Sequence, residues 1–87
     1  MNEDFDEYVR DAKHMHNVMD FAATLPAPLV AEAMDARGWR GFDPAYPVDT
    51  IRQAYDETGD TDLDQRRMIG GDLAHIIAAV LNQRNRT

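Results

Sequence analysis

The 87-residue chain contains no cysteine and no serine, and a single lysine. Without cysteine there are no disulfides, no thiolate chemistry and no zinc site built on thiolates, a composition that fits a reducing cytosol. Nucleophilic catalysis is left with threonine hydroxyls, and Thr24, Thr50, Thr61 and Thr87 fall at a helix end, a helix start, a cap and the terminus rather than beside a base. No apolar run approaches the roughly 18 residues of a membrane span. The opening MNEDFDEYVR is acidic where a signal peptide is basic, so the expectation is a soluble, cytoplasmic chain with no membrane contact. No internal repeat, period-two strand pattern or domain boundary is visible, and the length suits one domain over 1–87. A domain of this size hides only about 60 to 65% of its unfolded surface, too little for a deep catalytic cavity beside a robust core.

What the chain has in excess is acid. Sixteen Asp and Glu against nine Lys and Arg give a formal charge of −7. That charge weakens attraction to nucleic acid and to anionic membranes, whose surfaces select Lys and Arg. Residues 48–64 hold six carboxylates (Asp49, Asp56, Glu57, Asp60, Asp62, Asp64) against Arg52 alone, whereas Arg66, Arg67, Arg84 and Arg86 make the C-terminal segment basic. Apolar residues at 44% are nevertheless enough for a folded globule.

Hydrophobic spacing predicts an all-α domain of four helices. Phe5, Tyr8, Val9, Ala12, Met15, His16, Met19, Ala22 and Ala23 recur at three- and four-residue intervals, one stripe of a long helix over about 3–25. Pro26 and Pro28 end it, and PLVAEAMDARG reads as a short helix stopped by Gly38, with Trp39 folding back toward Met34 as in a Schellman motif. WRGFDPAYP, 39–47, is too irregular for an element and too apolar for a linker, so it should be a loop that packs. Pro47 can open a third helix bearing Val48, Ile51, Ala54 and Tyr55 and ending at Gly59. The second long helix covers about 62–84, with Leu63, Ile69, Leu73, Ile76, Ile77, Val80 and Leu81 on its stripe. The predicted core is Phe5, Val9, Met19, Leu29, Met34, Ile51, Tyr55, Leu73, Ile76, Ile77 and Val80.

DETGDTDLDQRR, 56–67, spaces its acids like a calcium loop, but fails at the residues that make one. An EF-hand needs Gly at position 6 and a bidentate Glu at 12. Starting from Asp56 these are Thr61 and Arg67, and from Asp60 they are Gln65 and Gly71. Capping is the better account, with Thr61 as the cap and Asp62 and Asp64 in the first helical turn, at the positive end of the dipole. The histidines make no zinc site either: His14 and His16 point about 200° apart on a helix, and His75 is remote in sequence. We therefore expect no metal, no cofactor and no catalytic residues.

Two features remain. Gly70 and Gly71 sit inside the strongest helix, each costing roughly 0.8–1 kcal/mol against alanine. They call for a close-packed neighbour, a bend, or a partner on bare backbone. In the aromatic loop, Trp39 and Phe42 should plug one end of the bundle while Arg40 and Tyr46 point outward. The expected function is binding by a small accessory or inhibitory protein on a larger, basic, nucleic-acid-handling one. By analogy of size and charge it is comparable to factors that phages or mobile elements direct against host defence. The candidate partner surface is Trp39, Arg40, Phe42, Tyr46, Asp56, Glu57, Asp60, Asp62 and Asp64. Two alternatives stand beside it: a self-associating structural subunit such as a homodimer, and a weak helix-turn-helix-like DNA binder using Arg66 and Arg67. The second is disfavoured by a nine-residue connection and an acidic second helix.

Overall fold

The computed structural model describes residues 3–59 and 62–85, residues 3–5 by their backbone alone. Among the described residues are five α-helices and no strand: α1 (Glu3–Arg10), α2 (Ala12–Ala23), α3 (Ala27–Ala36), α4 (Val48–Thr58) and α5 (Leu63–Asn85). The all-α class is as expected, but there is one helix more than the four predicted.

The extra helix comes from a break at Asp11 within the predicted span 3–25. Asp11 adopts extended backbone (φ −79°, ψ 101°), and its carboxylate accepts the N–H groups of Lys13 at 3.0 Å and His14 at 3.4 Å. A short acidic side chain can replace the carbonyls missing from a helix start, which is why aspartate competes with helix continuation. The carbonyls that α1 leaves open at its end are taken by distant residues. The Tyr55 hydroxyl donates to the Val9 carbonyl at 2.5 Å, and Arg66 Nη1 donates to the Arg10 carbonyl at 3.0 Å. Arg66 also donates from Nε to Thr58 Oγ1 at 2.9 Å and lies 4.5 Å from the centroid of the Tyr55 ring. Arg66 is buried as a result, clamping α1, α4 and α5 together at one point.

The other helix ends follow local chemistry. At the end of α3, the Trp39 N–H reaches the Met34 carbonyl and the Gly38 N–H the Asp35 carbonyl, at 3.0 and 3.1 Å, with Gly38 at φ 94°. Those are the two bonds of a Schellman motif. Gly59, at φ 69°, ends α4 as expected. Asp62 caps α5, its Oδ1 accepting the Gln65 N–H at 3.1 Å. It takes the capping role that the spacing assigned to Thr61, which lies outside the described residues.

Helix α5 is the axis of the fold, packing on α1, α3 and α4, while α2 packs on α1 and α4 alike. Val9, Met15, Met19, Ala22, Leu25, Val30, Met34, Val48, Ile51, Tyr55, Ile69, Leu73, Ile76 and Val80 form one buried cluster. Leu29 and Ile77, placed in the core by sequence, are only partly buried against it, and the Phe5 side chain lies outside the described residues. Ion pairs join the helices outside this cluster: Arg67 to Asp6 by two bonds of 2.7 Å, Arg37 to Asp72 at 2.6 Å, and Arg52 to Asp20.

Candidate functional site

The residues proposed from sequence as one partner surface divide between two ends of α4. Asp56 and Glu57 belong to its last turn and Asp62 and Asp64 to the start of α5, all four exposed, whereas Asp60 lies outside the described residues. The aromatic loop joins α3 to the opposite end of α4. Eleven residues separate the two, about 16 Å of helix. A single partner contact would have to span that distance to engage both.

Within the loop, the side chains take the directions expected of them. Trp39 and Phe42 pack, half-buried, on the core cluster, and Tyr46 is 67% exposed. Trp39 Nε1 is shut off from solvent without a hydrogen-bond partner among the described residues. Arg40 is exposed but tied down: Nη1 donates to the Asp35 carbonyl at 3.0 Å, to Asp35 Oδ1 at 2.9 Å and to the Trp39 carbonyl at 2.7 Å. It closes the end of α3, where a cation meets the negative end of the helix dipole.

At the acidic end, two carboxylates already face cationic or ionisable groups. Asp56 Oδ1 lies 2.9 Å from His16 Nε2, and Asp64 Oδ1 accepts from Arg67 Nη1 at 2.8 Å. Arg67 in turn holds Asp6, and its hydrogen bonds keep the Asp6 carboxyl below the ordinary aspartate range against the opposing effect of burial. The same pairing raises Arg67. The two arginines that the DNA-binding alternative requires at the surface are thus engaged inside the molecule, Arg66 at the α1–α4–α5 clamp and Arg67 on Asp6.

The histidines are not gathered. His14 stacks on Tyr8 with centroids 5.3 Å apart and pairs with Asp11, while His16 meets Asp56 and the edge of Tyr55. Among the described residues no group of three or more His, Asp or Glu could hold a metal ion. No described helix is long and apolar enough to cross a membrane.

One surface was not singled out from sequence. An apolar groove of about 420 Å³ opens between the α1–α2 pair and α5. Its floor is Val9, Met15, Gly70 and Leu73, and its walls include Tyr8, Val18, Ala74, Ile77, Ala78 and Leu81. Tyr8 and Leu81 are 41% and 37% exposed, and Ala74 and Ala78 are also exposed. The groove exists because α2 leans on α1 and α4 and meets α5 least of the helices that touch it. A signal was present in the sequence: from Leu73 to Leu81 every residue but His75 is apolar. A helix apolar on nearly all sides needs cover on more than one of them.

No known protein family matches the chain, and no curated protein or solved structure is similar to it.

Proposed function

We propose that the chain is a small acidic protein-interaction module, an accessory or inhibitory protein acting in the cytoplasm on a larger protein with a basic, nucleic-acid-handling surface. The observation that supports this is the outward set Asp56, Glu57, Asp62 and Asp64 where α4 gives way to α5. Arg52, the base on α4, is turned away onto Asp20 of α2, so that of the set Asp64 is offset by Arg67 and Asp56 faces the His16 ring. Exposed carboxylates close in sequence at the α4–α5 junction of a chain of net charge −7 create a potential that steers a basic partner and excludes acidic ones. A row of carboxylates can also stand in for phosphates on a nucleic-acid-binding protein, the mode of action suited to a phage-type anti-defence factor.

The test is affinity purification from the native host with the wild-type chain and with an Asp56→Asn, Glu57→Gln, Asp64→Asn variant. We expect a stoichiometric basic protein that the variant fails to retain and that salt releases. No stoichiometric partner for the wild type, or one the neutralised variant holds equally well, refutes the proposal.

A further inference from the structure

We propose that the groove between the α1–α2 pair and α5 is covered by the same groove of a second copy, with the two α5 helices antiparallel about a two-fold axis near Ile77 and Ala78. This is independent of the acidic end, which lies outside the contact. Four observations lead to it.

The first is the groove itself, an apolar slot that no described residue fills, walled by exposed Tyr8, Ala74, Ala78 and Leu81 in an otherwise charged small domain. The second is Gly71. Its neighbour Gly70 is explained within the chain, because a Cβ there would stand 2.7 Å from Val9 Cγ1, but a Cβ on Gly71 would meet nothing within 4 Å. Gly71 continues, at i, i+3 and i+7, the stripe of Ala74 and Ala78 that lines the groove, and together they leave one side of α5 low enough for a second helix to approach closely.

The third is the placing of charge. Acids mark the α1 end of the groove, where Glu7 and Asp11 are exposed beside Tyr8. A base marks the other end, where Arg84 stands in the last turn of α5. With the axis between 77 and 78, residue 84 of one copy lies level with residue 71 of the other, each about 10 Å from the axis at 1.5 Å per residue. Arg84 then crosses the bare Gly71 of the second copy toward Glu7 and Asp11, and the same pairing repeats across the axis. A two-fold contact needs such self-complementarity.

The fourth is that the antiparallel arrangement keeps the acidic ends of the two copies apart. It places the two α4–α5 acidic ends about 46 Å apart along the helix axes, far beyond the roughly 8 Å screening length at physiological salt. A parallel pairing sets them side by side.

The test is the molecular mass of the full chain by light scattering and sedimentation at concentrations up to about 1 mM. The expected result is a concentration-dependent rise from the 9.9 kDa monomer toward twice that mass. Ala78→Glu, at an exposed position, should leave the helical content and melting temperature of the dilute protein unchanged while weakening association at least about 30-fold, and Arg84→Glu should weaken it in a way that Glu7→Arg partly restores. Because the chain has no cysteine of its own, Ala78→Cys should cross-link to a second copy under oxidation and Asp49→Cys, on α4, should not. A monomer at every concentration overturns the proposal, as does a dimer indifferent to Ala78→Glu or a groove filled only by an added partner helix.

Discussion

The adjacent glycines of α5 should respond in opposite ways to the same substitution. In a helix interior, alanine is favoured over glycine by about 0.8–1.0 kcal/mol, largely because glycine has more backbone freedom to lose. At Gly71 nothing opposes that gain, since an added Cβ meets no atom within 4 Å. Gly71→Ala should therefore stabilise the monomer by about 1 kcal/mol, worth roughly 4–8 °C in melting temperature for a domain of this size. At Gly70 the methyl would stand 2.7 Å from Val9 Cγ1 and 3.6 Å from Met15 Cε. The methionine end can swing away, but Val9 is fully buried and, being β-branched in a helix, has essentially one rotamer. Relief then requires α1 to retreat from α5, and overpacking of this kind costs about 1–3 kcal/mol. The net effect of Gly70→Ala is a loss of up to about 2 kcal/mol, and the two variants should differ by about 1–3 kcal/mol. Denaturant unfolding followed by far-UV circular dichroism, at a dilution where the chain is monomeric, measures that difference. Adding Val9→Ala to Gly70→Ala supplies the missing room, so the pair should lose less than the sum of the single changes. Equal stabilisation by Gly70→Ala and Gly71→Ala would show that α1 does not lie against α5 at Gly70, and would undo the packing described for that contact.

The clamp around the α1–α2 break yields a second expectation. Tyr55→Phe removes the donor to the buried Val9 carbonyl and should cost about 1–3 kcal/mol, and Arg66→Met, which strips Thr58 and the Arg10 carbonyl of their shared partner, about 2–4 kcal/mol. Losses under about 0.5 kcal/mol in the same unfolding assay would be those of an ordinary surface change and would contradict the clamp. Acid titration tests the Asp6–Arg67 pair. Because the folded-state pKa of Asp6 is depressed, its contribution is present above the unfolded value of about 3.9 and disappears as pH falls through the folded value. The stability gap between wild type and Asp6→Asn should thus be constant near neutrality and narrow below about pH 4. A gap that widens with acid would mean the pair is absent.

The short helices and their ends were readable because each rests on a few adjacent residues. Gly38 and Gly59 supply positive φ where α3 and α4 stop, and Pro47 precedes the start of α4. The break at Asp11 was hidden because the apolar stripe runs through it without glycine or proline, and only one aspartate marks the place. The groups that hold the break open come from Tyr55 and Arg66, 46 and 56 residues further along. For the same reason Arg66 read as a surface base although it is buried. Charge type is local, but whether a guanidinium finds carbonyl and hydroxyl acceptors in the interior depends on which helices meet there. The candidate surface divided in a related way: Trp39, Arg40, Phe42 and Tyr46 were legible as a packed loop, and Asp56, Glu57, Asp62 and Asp64 as exposed carboxylates. Their separation by the length of α4 is a fact of three dimensions.

By itself, then, the sequence determined the helical class, the ends of α3 and α4, eight of the fourteen buried core residues and the acidic character of the composition. Periodicity, capping and composition act over a few residues, or simply add along the chain. Tertiary structure alone decided the division of the first helix, the burial of Arg66, the different roles of Gly70 and Gly71, and how much of the apolar run of α5 its neighbours leave uncovered. Each of these depends on how closely two helices distant in sequence approach one another, and no local pattern encodes that distance.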